Sequence, residues 1–434
     1  MAAVPSLTIF RHRAYAQYWG MRVLVSAARE MQAVAIGWQV YDLARETRSI
    51  EQSAFLLGLV GLTQFLPVFF LSLVGGQAAD RLNQKFIIVA SQLIRAAASL
   101  VLLSTFFLPA SAAFPLIFTA AFAMGVVNAF VPAASNALFP RLVPRAELPA
   151  AIAWNSLGYT GASIVGPALG GLLYVLGGEV VYSTAAIMSV IAALLIATAG
   201  TPRHEKRTGA HGLAMVIDGL RYIVRNRIVL GAISIDFVAV FFGGAIALMP
   251  VYARDILQVG EEGLGLMRAA PAAGAALVAF LLAGRPLRRQ VGRWMFSAVA
   301  VYGAATLVFG ISPLFWLSLI ALAVTGAADM ISVFVRQSLI QLSTPDEMKG
   351  RVSSVSFIFI SGSNELGEFE SGVAARFLGP VGAVILGGSM AIGAALVWMR
   401  LFPQLARADR FDDIEEEPLA PDLQTGTGGK QEAG

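Results

Sequence analysis

The chain has 434 residues, 57% of them apolar and only 13% charged, with a formal net charge of +4. A soluble domain carries roughly 25% charged residues to cover its surface, so this balance excludes an ordinary cytoplasmic enzyme, a collagen and a disordered chain, and it points to a polytopic membrane protein. Without cysteine there is no disulfide framework, thiolate metal site or cysteine nucleophile.

In chain order, apolar segments predict twelve spanning helices, at 20–43, 54–79, 86–108, 113–136, 150–176, 180–200, 228–252, 263–284, 291–311, 313–338, 352–377 and 380–402. Each is near the roughly 20 residues that cross about 30 Å of hydrocarbon. Gly, Ser and Asn dilute the fifth and eleventh most. The spans are too many for a signal peptide to explain, and the first has no cleavage pattern, so the N-terminus is expected to be retained. A β-barrel would need strict alternation, which the runs 65–74 and 100–107 lack.

Basic residues orient the spans. Arg11 and Arg13, Arg81 and Lys85, Arg141 and Arg145, the six between 203 and 227, Arg285 to Arg293, and Lys349 with Arg351 all fall on one side. The other side holds few: Arg45, Arg48, Arg254, with Arg268 and Arg376 at its margin. Both termini are therefore expected in the cytoplasm of a bacterial-type inner membrane, surrounded by lipid. Charges spread over many short loops exclude a nucleic-acid partner. The polar, basic stretch 201–227 divides the chain into 1–200 and 228–402, each a six-helix bundle, and 403–434 is a polar tail. Residues 215–225 have the pattern of an amphipathic surface helix.

Gly125, Asn128 and Pro144 stand at one constant offset from Gly326, Asp329 and Pro345. Six helices is an even number, so the second copy enters the membrane from the same side and the repeats are parallel. Two such bundles around one cavity can rock about a midplane site.

The second-to-third connection reads Gly75-Gly76-Gln77-Ala78-Ala79-Asp80-Arg81-Leu82-Asn83-Gln84-Lys85. Its glycines let helix ends approach, Asp80 can accept hydrogen bonds at a neighbouring helix end, and Arg81 and Lys85 suit an anionic leaflet. This resembles the loop signature of the major facilitator superfamily, with departures at Gln77, Asn83 and Gln84. The resemblance implies that Gly76, Asp80, Arg81 and Lys85 latch the cytoplasmic side. The second-half counterpart, Gly284-Arg285-Pro286-Leu287-Arg288-Arg289, lacks the aspartate. In the fifth span, small residues allow close helix contact and Pro167 bends the helix. Gly161, Gly166, Pro167, Gly170 and Gly171 also resemble the family's antiporter signature, which implies exchange of substrate for protons. Phe10-Arg11-His12-Arg13, Trp38-Gln39-Val40-Tyr41, Gln64-Phe65-Leu66-Pro67 and Asn155-Ser156 are similar to the enterobactin-exporter-like branch, whose members export siderophores, drugs and in a few cases metal ions. The implied architecture is an all-α major facilitator fold.

Ionisable groups in hydrocarbon are costly and mark a cavity. Arg22, Arg29 and Glu30 lie in the first span, Arg95 in the third, Asp236 in the seventh, and Asp329 and Arg336 in the tenth. Arg22 is close enough to the cytoplasmic end to snorkel. Glu365 and Glu368 share a face of the eleventh, whereas Glu370 turns away. Carboxylates so placed line water, pair with Arg29 or Arg95, or hold protons.

The expected function is secondary active, proton-coupled efflux of an amphipathic organic solute. Arg29, Glu30, Trp38, Gln39, Gln64, Asn128, Asp236 and Asp329 would line the cavity; Glu365, Glu368 and Asp329 would carry protons. The alternative is a proton-coupled exporter of a divalent metal ion held by Asp236, Asn364, Glu365 and Glu368. No hydrolase, P-loop or dinucleotide pattern is present, so neither an enzyme nor a cofactor is expected. One chain suffices for transport, so a monomer is expected.

Overall fold

The computed structural model describes residues 7–200, 213–285, 287, 289–409 and 411. His204 and His211, most of the predicted tail, and Pro286 and Arg288 of the second loop lie outside the described residues.

The first group of helices is α1 (Arg13–Arg45), α2 (Ile50–Arg81), α3 (Gln84–Ser104), α4 (Ala110–Leu138), α5 (Leu148–Val175) and α6 (Gly178–Thr198). The surface helix expected at 215–225 is α7 (Leu213–Arg225). The second group is α8 (Arg227–Phe242), the short α9 (Met249–Val251) with a π-helical turn Tyr252–Ile256, α10 (Gly260–Gly284), α11 (Val291–Ile311), α12 (Phe315–Ser343), α13 (Asp346–Leu401) and the terminal turn α14 (Pro403–Arg407).

Local chemistry sets several boundaries. Ser49 and Gln52 form a reciprocal capping box at the start of α2, and Asn83 and Asn226 cap α3 and α8. Pro67, Pro132, Pro167 and Pro271 lie inside helices, as spanning helices tolerate. Gly379 adopts φ +74°, which a side chain would oppose, and it breaks α13 into two helical stretches.

Among the described residues, nine helices are long and apolar enough to cross a membrane. The twelve expected spans are not recovered one for one. Helix α1 carries Arg22, Arg29 and Glu30, and α5 is diluted by Asn155, Ser156, Thr160 and its glycines, so neither reaches that apolarity despite lengths of 33 and 28 residues. The stretch Gly362–Leu401 runs through Gly379 and so joins the last two expected spans.

Packing repeats along the chain. In the first group α1 packs on α5, α2 on α4 and α3 on α6. In the second, α8 packs on α13, α10 on α12 and α11 on α13. The groups meet through α2 against α13 and α5 against α10. One apolar core joins both groups at the end where α1 gives way to α2, from Val34, Tyr41, Leu57 and Met124 to Tyr252, Leu264, Phe309 and Val384. At the other end each core belongs to one group: Tyr15, Ile88 and Leu138 in the first, and Ile235, Met295 and Leu339 or Tyr222, Met348 and Val352 in the second.

Candidate transport site

Where the two groups meet, glycine removes the side chain that would hold the backbones apart. A Cβ on Gly58 of α2 would lie 2.9 Å from the Cα of Gly372 of α13. One turn on, a Cβ on Gly61 would lie 2.9 Å from the Cβ of Glu368 and 3.0 Å from its Oε2. On the other flank, Gly171 of α5 faces Gly265 of α10, its Cβ position 2.9 Å from that Cα. These crossings place α13's carboxylates beside α1 and α2.

The crossings bring together charges from three helices. Arg29 donates to Glu30 Oε1 from NH2 at 3.0 Å and from Nε at 3.3 Å. Gly166 makes room for Glu30, because a Cβ there would stand 2.8 Å from the Glu30 Cβ. Arg29 and Glu365 lie within electrostatic reach of one another, as do Glu365 and Glu368 one turn apart on α13. Glu368 in turn lies within electrostatic reach of Arg268 of α10 and of Arg29 and Glu30, without a direct ion pair to any of them among the described residues. Arg29 and Glu30 are thus in direct contact, and Glu365 and Glu368, expected on one face of their helix, lie within electrostatic reach of them.

Sequence reading missed Arg268. It lies eight residues past Gly260, near the start of its helix, and so passes for a loop cation. Its NH2 lies 3.6 Å from where a Cβ on Gly37 of α1 would sit, so the guanidinium crosses between the groups. An arginine two turns into an apolar helix was the available signal.

The other predicted residues sort differently. Asn128 accepts from buried Arg95 at 3.0 Å, which ties α3 to α4. Gln64 is half-buried against Gly125. Trp38 and Gln39 are buried in helix packing rather than open to the charged group. Gln39 donates to Thr105 at 2.8 Å and accepts from Tyr182 at 2.8 Å, so both ends of its amide are engaged. Asp236 forms a buried ion pair with Arg336, and with Asp329, Tyr302 and Ser332 it lines a small cavity inside the second group. That site is separate from Glu365 and Glu368.

Two glycine assignments shift by a few positions. Gly76 and Gly161 face open space. The close approaches are made by Gly75, against the backbone of Ala129 and Phe130 of α4, and by Gly158, against Trp19 and Val23 of α1. Gly170 packs on Met31 of α1. Pro167 offers its carbonyl to the surroundings of Gly265. In the loop after α2, Lys85 donates to the Ala199 carbonyl at 2.9 Å, Arg81 is exposed, and Asp80 makes no hydrogen bond or ion pair among the described residues.

The metal-binding set does not converge. Asp236 is committed to Arg336, and exposed Asn364 donates to its own helix at Ile360. Among the described residues no group of three or more His, Asp or Glu is placed to hold a metal ion.

At the joined end, ion pairs cross between the groups. Arg254 meets Asp42 at 2.6 Å and Arg45 meets Asp255 at 3.4 Å, with the Tyr41 hydroxyl donating to Asp255.

The family described as transmembrane secretion effector, a branch of the major facilitator superfamily, matches residues 4–429. The chain belongs to this family. It is therefore a multi-pass secondary active transporter that moves a small-molecule solute by alternating access, not an enzyme. It is similar to the enterobactin exporter EntS of Escherichia coli O1:K1, at 24% identity over 95% of this chain and 96% of that one. A POT family transporter in complex with 5-aminolevulinic acid has the same fold, with a TM-score of 0.72 and 10% identity over 91% of this chain and 96% of that one. So does a bacterial homologue of the lysosomal transporter Spinster in an inward-facing, occupied conformation, with a TM-score of 0.70 and 15% identity over 94% of this transporter and 99% of the homologue.

Proposed function

We propose that this transporter expels an amphipathic organic solute of drug or siderophore type from the cytoplasm in exchange for protons. The observation that carries the reading is that Glu368 packs against Gly61 of α2 where the two helix groups cross, with Glu365 one turn away on the same helix and the Arg29–Glu30 pair of α1 within electrostatic reach. Carboxylates at a moving interface can take a proton on one side and lose it on the other, and ionisable groups at that depth serve such relays. Similarity to enterobactin exporters supports the solute class and the direction of transport.

The architecture of the proposal is twelve spans in two parallel six-helix repeats, 1–200 and 228–402, joined by 201–227 and followed by a cytoplasmic tail at 403–434. The repeated pairing of α1 with α5 and α8 with α13, and of α2 with α4 and α10 with α12, supports it. Basic loops orient both termini to the cytoplasm of an inner membrane. The joined end is then the outer one, and the outer side is closed in this structure. Asp80, which makes no hydrogen bond or ion pair among the described residues, would engage a neighbouring helix end when the inner side closes. Arg22 snorkels, and Asp236 with Asp329 forms an internal charged site. The transport unit is a monomer.

The chain has no native cysteine, so single cysteines report orientation cleanly. A cysteine at Glu46, exposed beyond α1, should react with a membrane-impermeant maleimide in intact cells, and one at Ala146 should not. The reverse pattern would invert the topology.

The function itself is tested with purified protein in liposomes. An inward-directed proton gradient should drive export of a labelled catecholate or a lipophilic dye against its own gradient. Transport indifferent to the proton gradient would remove the coupling.

A further inference from the structure

The second helix group holds an ionic site of its own, apart from Glu365 and Glu368. On α12, Asp329, Ser332 and Arg336 are spaced so that they share one face. Arg336 meets Asp236 of α8 through NH1 and Oδ2, which leaves Oδ1 for a further partner, and both side chains are buried. Asp236, Asp329, Ser332 and Tyr302 of α11 line one cavity, comparable in size to a water molecule. Its wall is rich in acceptors and poor in donors. The Tyr302 hydroxyl donates to the Gly243 carbonyl at 3.0 Å, so only its lone pairs are left. Arg336 is held by Asp236. Ser332 is only 4% exposed, and neither it nor Asp329 makes a hydrogen bond or ion pair among the described residues. With both carboxylates ionised, two negative charges meet the positive charge of Arg336. One negative charge is left over in a poorly solvated place, where an unpaired ion is costly.

We propose that this cavity binds a single sodium ion, held by the carboxylates of Asp236 and Asp329 and by the hydroxyl oxygens of Ser332 and Tyr302. The proposal goes beyond the proton-exchange reading and does not depend on it. Charge selects a monovalent ion, since a divalent one would leave the site positive beside Arg336. Size excludes an organic ammonium. A water molecule fits the space but brings no charge. A proton on Asp329 cancels the charge but supplies one donor to a wall of several acceptors, whereas an ion is met by all of them together. Ligands that are oxygen throughout suit a hard cation. The ion would tie α8, α11 and α12, which already pack on one another.

The test uses the purified full chain in lipid nanodiscs and radioactive sodium. Binding should saturate at about one ion per chain, and sodium chloride should raise the thermal midpoint by about 2 °C or more over choline chloride of equal strength. Asp329→Asn keeps the shape of the side chain and removes its charge, and it should weaken binding about tenfold or more. Ser332→Ala and Tyr302→Phe should each weaken it about threefold, and they carry the test if the Asn variant fails to fold. Glu368→Gln should leave sodium binding unchanged, because that carboxylate belongs to the separate site. No bound sodium in the native chain, normal binding in Asp329→Asn or in both hydroxyl variants, or a loss confined to Glu368→Gln would each overturn the site. So would displacement of sodium by calcium at lower concentration, or stabilisation by acid with no sodium uptake, which would leave Asp329 a proton site alone. If liposome export proves indifferent to protons while sodium binding stands, the export reading fails and the sodium site survives.

Discussion

Replacing Glu368 with Gln is expected to abolish proton-driven export while sparing exchange of solute for solute. Glu368 stands against Gly61 of α2 and lies within electrostatic reach of Arg268, Arg29 and Glu30, so its charge is felt by both helix groups. Glutamine keeps the shape of the protonated acid but cannot lose the proton. The variant can still reorient with solute bound, and exchange needs no net proton step. Gradient-driven transport should fall by about tenfold or more, the scale of coupling between linked sites. Reconstituted protein, matched for amount, would be assayed in both modes. Full uphill transport by the Gln variant would sink the role of Glu368, and Glu365 or Asp329 would be the next carriers to test.

The membrane fold was legible because it needs only composition and span length, and those signals survive without any partner being known. Where spans carry function they lose that signal: α1 holds Arg29 and Glu30, α5 is rich in glycine, and neither reaches the apolarity of the nine clear helices. Glu365 and Glu368 could be paired from sequence, since residues three apart share a helix face. That Gln39 lies on another side of α1 from Glu30 was legible on similar grounds. Nine residues from Glu30, it lies about 180° round the helix at roughly 100° per residue. Arg268 was hidden by its closeness to a helix start. The glycine partners were not legible at all, because which of Gly75 and Gly76, or of Gly158 and Gly161, meets a neighbour depends on a helix far away in sequence. The antiporter-like run shows this most clearly. Gly166 and Gly170 pack on α1 within the first group, but Gly171 meets Gly265 in the second.

That last contact yields the second large effect. Gly171→Leu is expected to stop transport while leaving the protein folded and in the membrane. A Cβ at position 171 would lie 2.9 Å from the Gly265 Cα and 3.0 Å from its backbone nitrogen, closer than packed atoms come. The overlap lies between the helix groups, so the groups can relieve it by separating. Within each group, α1 still packs on α5 and α10 on α12. Overpacking of this kind costs about 1–3 kcal/mol, which shifts a two-state balance by roughly 5- to 150-fold. The shift runs toward the outer-open state, because the crossing of α5 with α10 belongs to the joined end. The pairs Arg254–Asp42 and Arg45–Asp255 should open with it. They are partly exposed and worth at most about 1 kcal/mol each, so they offset only part of an overlap at the upper end of that range. A cysteine replacing Asp255 should therefore become reactive from outside in Gly171→Leu and remain poorly reactive with glycine at 171. Gly171→Ala should show a weaker form of the same change, and Gly265→Leu should reproduce it from the other helix. Normal turnover in Gly171→Leu, or an unchanged rate of labelling at 255, would mean that this crossing does not govern closure of the outer side.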